Sequence, residues 1–216
     1  MAIKFSKNEI LEMIENAKFD IRSFYKQDFV NYAGKTKDSK EYYTEIIAEW
    51  LLSHVDLFNK IKLINREGSY RIESHDGKII NQESNRAEEK IAMKLFDYSQ
   101  NKGEIFDKIG KIIDYQTPLK NIQTDDAGKI DLLAYNEDTD TLRILELKKS
   151  DSKETMLKCL LEVYTYLKIV NKVKLLKDFG LPKDTIVKAS PLVFFEGMQY
   201  KEMQEDRKNL KKLMEK

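Results

Sequence analysis

Gly128-Lys-Ile-Asp-Leu-Leu-Ala-Tyr135 and Thr141-Leu-Arg-Ile-Leu-Glu-Leu-Lys148 are two short apolar runs, the first carrying Asp131 and the second closing on Glu146-x-Lys148. Asn136-Glu-Asp-Thr-Asp140 between them holds only turn-formers and charge, so the pair predicts a β-hairpin. Side chains alternate along a strand, which places Glu146 and Lys148 on one face with Leu142 and Ile144, and Leu145 and Leu147 on the other. Both faces are then largely apolar, which predicts a central strand. A carboxylate and an ammonium at the end of such a strand are costly to leave unpaired.

The hairpin brings Asp131 and Glu146 together, offering the convergent carboxylate oxygens that Mg2+ or Mn2+ favours. A cation held there would acidify a water and stabilise charge on a phosphoryl oxygen. Lys148 would orient that water or neutralise developing negative charge. The tripeptide alone has little meaning in so charged a chain, because the same spacing occurs at Asp38/Lys40, Asp76/Lys78, Glu88/Lys90, Asp151/Lys153 and Asp206/Lys208. Only the 146–148 copy lies on an apolar run beside an acid-bearing neighbour. The plainer alternative is an exposed charge pair that ends an edge strand and discourages aggregation.

On these residues the chain resembles the PD-(D/E)xK nuclease superfamily. Asp131 matches the first acid, with Ile130 where Pro is usual, and Glu146-Leu147-Lys148 matches the (D/E)xK element. The resemblance implies an α/β restriction-endonuclease-like core, a mixed central sheet flanked by helices, over roughly residues 80–196. The order of segments agrees: a helix near 84–98, strands near 111–118, 129–136 and 141–148, a helix near 153–170 and an apolar run near 185–195. It also implies that Asp131, Glu146 and the Leu147 carbonyl bind the metal while Lys148 positions the attacking water.

Relatives often take a further acid from the helix before the sheet, which points to Glu88 in Asn85-Arg-Ala-Glu-Glu-Lys-Ile-Ala-Met-Lys-Leu-Phe96, with Glu89 one position round. Asn85-x-x-Glu88 also has capping-box spacing, so Glu88 could simply close its helix. The next helix opens with Asp151-Ser-Lys-Glu154, another capping-box pattern, and buries Leu157, Leu160, Leu161, Tyr164 and Leu167. Lys158, Glu162 and Tyr166 form a separate stripe. Several relatives carry Gln-x-x-x-Tyr here, so Glu162 and Tyr166 are second-shell candidates, with Glu replacing Gln. Lys158 with Glu162 equally makes an ordinary surface ion pair.

Composition bounds the rest. The chain has 216 residues, 35% charged and 41% hydrophobic, which suits one large domain or a domain with an extension. No run approaches the roughly 20 apolar residues of a membrane span, and Met1-Ala-Ile-Lys-Phe-Ser6 has no signal core, so a cytoplasmic protein is expected. Cys159 is the one cysteine, and His54 and His75 are isolated, so zinc chemistry and a nucleophilic triad lack support. No phosphate-binding loop is present. Ten Lys against five acids between Lys148 and Lys188 give a basic flank that suits a polyanion, and a solvated helix face explains the count equally well.

Residues 6–30 and 38–64 predict helices, with capping boxes at Ser6/Glu9 and Asp38/Glu41. Tyr70–Ser74 and Lys78–Ile80 around His75-Asp-Gly77 predict a short hairpin. Residues 1–80 thus form an α-rich extension, 81–200 the core and 201–216 a charged helix or tail. Tyr42, Tyr43 and Trp50 could stack on bases, but their helical spacing favours packing. Asp125 and Asp126 are extra acids near the hairpin, explained by turn chemistry.

The function expected is metal-dependent hydrolysis of nucleic acid, DNA before RNA by resemblance, in a protein able to act as a homodimer. Asp131→Ala or Lys148→Ala is expected to abolish cleavage and spare the fold. The alternatives are a catalytically inactive nuclease-fold module that binds nucleic acid or protein, and an α/β interaction protein whose motif residues are coincidental.

Overall fold

The computed structural model describes residues 4–78, 86–121 and 127–216. In chain order its elements are α1 (Lys7–Ala17), α2 (Tyr43–Ser53), α3 (Ala87–Gln100), β1 (Lys111–Pro118), β2 (Lys129–Asn136), β3 (Thr141–Lys148), α4 (Met156–Ile169), α5 (Lys172–Asp178), β4 (Ile186–Val193), α6 (Met198–Gln204) and α7 (Lys208–Met214). Together they form a mixed α/β structure with a four-stranded mixed sheet flanked by helices. Two compact units are present. One holds Met1–Ile61, Ser150–Thr165 and Val193–Lys216; the other holds Lys62–Lys149 and Tyr166–Leu192.

The first unit is helical. Ser6 caps α1 through the expected reciprocal box: its hydroxyl accepts from Glu9 N at 3.3 Å, and the Glu9 carboxylate accepts from Ser6 N at 2.6 Å. Lys37, then Ser6, hold the Glu9 carboxyl down at about 2, below its ordinary 4.5. A depressed carboxyl stabilises the fold above its unfolded value and loses that contribution as pH falls towards 2. Glu9→Gln should therefore melt below wild type at pH 6 and match it near pH 2, as circular dichroism would show.

The helices are shorter than the sequence predicts. α1 gives way to 3-10 turns at Lys18–Lys26 and Asp28–Asn31, with Asp20 at non-helical angles. The Asp20 carboxylate accepts from Ser23 N at 3.3 Å, a local bond that competes with the helix. The Asp38/Glu41 box does not form. Asp38 instead accepts from Lys7 N at 3.1 Å and Glu41 pairs with Lys7 Nζ at 2.9 Å, so α2 begins only at Tyr43.

Ile10, Ile14, Phe24, Ile46, Ile47 and Leu51 share one core with Leu157, Leu161 and Leu210. The expected packing of the aromatics is seen. Tyr43 is buried, Trp50 stacks between Phe24 and His54, and the Arg207 guanidinium covers Tyr42 at 3.3 Å. A buried polar knot ties this unit together. Glu202 takes Thr44 Oγ1 at 3.1 Å and Met156 N at 2.8 Å, and Arg207 donates to Thr44 Oγ1 at 2.9 Å.

The second unit carries the sheet, in the order β1-β2-β3-β4. β1, β2 and β3 are antiparallel neighbours, and their bounds are those the alternation predicts. β3 is interior and buried on both faces at all positions but Arg143. In the hairpin turn Asn136 Oδ1 accepts from Thr139 N at 3.0 Å, while the Asp140 carboxylate takes the Tyr135 and Thr185 hydroxyls at 2.9 and 2.6 Å. Gly110, at φ +86°, turns the chain into β1; a Cβ there would lie 2.1 Å from the Tyr135 carbonyl oxygen.

Ala92 and Phe96 of α3 pack with Ile112, Tyr115, Leu132, Ala134, Leu145 and Leu147, so this helix covers one face of the sheet. The hairpin expected at 70–80 is a correction. Tyr70–Lys78 contains no strand, and Ile79 and Ile80 lie outside the described residues. His75 is held by Asp114, which leaves this segment fixed by side chains and not by a ladder. Among the described residues no helix is long and apolar enough to cross a membrane.

Candidate functional site

The packing of Ala92 and Phe96 sets the first turn of α3 over the end of β3. Glu88 Oε1 there accepts from Lys149 N at 3.1 Å. The N-cap position is Arg86, which makes no side-chain cap, and Asn85 lies outside the described residues. Glu89 instead meets Arg86 Nη1 at 3.2 Å.

Asp131 lies one residue beyond the Leu132↔Leu145 pair of β2 and β3, and Glu146 one residue beyond it on the other strand. Residues opposite one another in an antiparallel pair share a face. The half-buried Asp131 carboxylate turns to the main chain of β3, where Oδ2 accepts from Leu147 N at 2.9 Å. Its Oδ1 accepts from Gln116 Nε2 at 3.0 Å. The first acid and the Glu146-Leu147-Lys148 element are thus directly bonded.

Lys148 Nζ and Glu146 Oε1 form an ion pair of 2.7 Å with side chains only 7% and 6% exposed. The buried carboxylate and ammonium of β3 satisfy one another, as the cost of leaving either unpaired requires. An open cleft of ≈ 270 Å³ lies beside them, lined by Arg86, Ala87, Glu88, Glu89, Gln116, Asp131 and Lys149. Glu146 and Lys148 are not among these lining residues. The cleft wall therefore combines three acids with two bases and one amide.

Lys158, Glu162 and Tyr166, the stripe read beside the site, divide between the units. Tyr166 belongs to the second unit and is buried; a Cβ on Gly128 would stand 2.5 Å from its hydroxyl, so the glycine admits the phenol against the start of β2. Lys158 and Glu162 belong to the first unit. Lys158 Nζ bonds the Glu154 carboxylate, four residues before it. The Asp151/Glu154 capping box does not form, because α4 begins at Met156 and Thr155 Oγ1 accepts from Lys158 N at 3.2 Å. Asp125 and Asp126 lie outside the described residues.

Three lining residues escape the sequence reading. Arg86 and Lys149 stand next to residues it selects and differ from the other basic residues only in where the chain folds. Gln116 is placed by the register: with Tyr115↔Leu132 and Thr117↔Ile130 paired, it lies opposite Asp131, a pairing that local sequence does not give.

Neither the family models, nor the curated proteins, nor the solved structures compared with this chain gave a match. Among the described residues no three His, Cys, Asp or Glu side chains converge closely enough to hold an ion by themselves. Asp131, Glu88 and Glu89 put carboxylate oxygens on the cleft wall, the ligand type that hard cations take with water completing the shell.

Proposed function

We propose that the chain is a metal-dependent nuclease that hydrolyses phosphodiester bonds of nucleic acid, with DNA favoured through its resemblance to the PD-(D/E)xK enzymes. The observation that carries the proposal is the Asp131 carboxylate, which lines a cleft while bonded to the main chain of Glu146-Leu147-Lys148. Asp131 and Glu146 would hold Mg2+ or Mn2+, together with the Leu147 carbonyl. Two carboxylates with water are a common complement for Mg2+. When bound, such an ion supplies Lewis-acid stabilisation of the phosphoryl oxygens and makes a water more acidic.

The chain's own residues do the rest. Gln116 Nε2 and Leu147 N each donate to one Asp131 oxygen and fix the orientation of the carboxylate. Lys148, turning its ammonium from Glu146, holds the attacking water in line. Glu88 anchors the end of β3 through Lys149 N and orients the site from outside. Arg86 and Lys149 on the cleft wall suit phosphate oxygens.

Purified protein with Mn2+ should cut single- or double-stranded DNA on a gel, and EDTA should stop it. Intact DNA and RNA after incubation of folded protein with either ion would refute the proposal. A second reading, the catalytically inactive module, is favoured by the burial of the Glu146–Lys148 pair away from the cleft wall. It predicts binding without cleavage and no rise in Tm with Mn2+.

A further inference from the structure

We propose that Gln116 is a positioning residue for Asp131, held in a disfavoured backbone conformation by a brace of half-buried His75 with buried Asp114 and Thr117. The inference rests on the nuclease reading of the cleft. Gln116 lies inside β1, between the pairs Tyr115↔Leu132 and Thr117↔Ile130. Its φ is +50°, a left-handed value that residues with a Cβ adopt rarely and that mid-strand positions ordinarily exclude. Such conformations persist where the surroundings enforce them, and they gather at functional sites.

The enforcing contacts grip both neighbours of Gln116. Thr117 Oγ1 donates to Asp114 Oδ2 at 2.8 Å, closing the chain around position 116. His75 Nδ1 meets Asp114 Oδ1 at 2.6 Å, and the His75 ring stacks on Tyr115 with centroids 4.2 Å apart. Asp114 is 2% exposed and Tyr115 is buried, with its phenol raised above its ordinary value by burial. The result is an amide aimed at Asp131 Oδ1 from the cleft wall.

The residue type matters. A carboxamide N–H fixes a carboxylate without adding charge, whereas Lys would compete with a cation and Glu would repel Asp131. Groups that orient a metal ligand from outside typically change metal affinity about 10–100-fold when removed.

The test is Mn2+ titration of the full chain followed by the free-ion electron paramagnetic resonance signal, with thermal unfolding alongside, for wild type, Asp131→Ala, Gln116→Leu and Gln116→Gly. Wild type should bind Mn2+ and Asp131→Ala should not. Both Gln116 variants should bind about 10-fold or more weakly. The glycine variant should melt above the leucine variant, because glycine accepts a positive φ. In cleavage assays both should lose kcat with substrate KM unchanged. Wild-type Mn2+ affinity in Gln116→Leu and Gln116→Gly, beside an inactive Asp131→Ala, would overturn the positioning role and leave the nuclease reading standing. Wild type that binds no Mn2+ would overturn both.

Discussion

Asp131→Asn should abolish Mn2+-dependent cleavage while moving Tm little. The substitution keeps the side chain's shape and one oxygen that can still accept from Leu147 N, a bond of 2.9 Å in the native chain. What it removes is the negative charge open to the cleft. Metal stabilisation of charge in a phosphoryl-transfer transition state is worth several kcal/mol, and each 1.36 kcal/mol is about a decade in rate, so the loss is on the order of 10³-fold or more. Thermal melting compares stability in the same samples. Asp131→Asn protein that cuts DNA at the wild-type rate would remove Asp131 from the chemistry.

Lys148→Ala is the second large effect, and it falls on stability as well as activity. From the sequence, Lys148 reads as removable without harm to the fold. In the structure its partner Glu146 has a side chain only 6% exposed, so deletion of the ammonium leaves a buried carboxylate without its ion pair. Breaking such a pair from one side costs about 3–5 kcal/mol. For a chain of this length that is a fall of roughly 10 °C in Tm. Replacing both partners with neutral groups of similar volume, Glu146→Gln with Lys148→Met, should recover most of the stability, because the desolvated charges disappear together. The double variant should nonetheless cut nothing. A Lys148→Ala protein that melts within about 2 °C of wild type would contradict the buried pair.

The two strands of the hairpin were legible because each is a mainly apolar run and the segment between them is all turn-formers and charge. Burial on both faces of β3 follows from the same pattern. The acid beside the Glu-x-Lys element was legible too, since a two-strand register fixes which residues face one another. What local sequence could not supply were bonds between distant segments. Asp38 and Glu41 look like a helix start until Lys7 takes them both. Glu88 accepts from Lys149 N, 61 residues away in the chain. Tyr70–Ser74 and Lys78–Ile80 look like a hairpin, but the described part, 70–78, holds no strand and His75 is bonded to Asp114. The left-handed Gln116 has no compositional mark, because neither Gly nor Asn stands there to announce a positive φ.

These differences share a cause: a capping pattern or a turn is a local preference worth about 1 kcal/mol, and a few tertiary bonds outweigh it. The Glu146–Lys148 pair illustrates the reverse case. Its burial was expected from two apolar faces, but whether the pair opens to a cleft or closes on itself depends on side-chain geometry that alternation does not encode.

Calorimetric titration of Mn2+ into wild type and Asp131→Asn, at neutral pH and without nucleic acid, tests the account most directly. Saturable binding to wild type that disappears in Asp131→Asn is the expected result. Equal heats for the two proteins, whether both bind or neither does, would contradict a metal site built on Asp131.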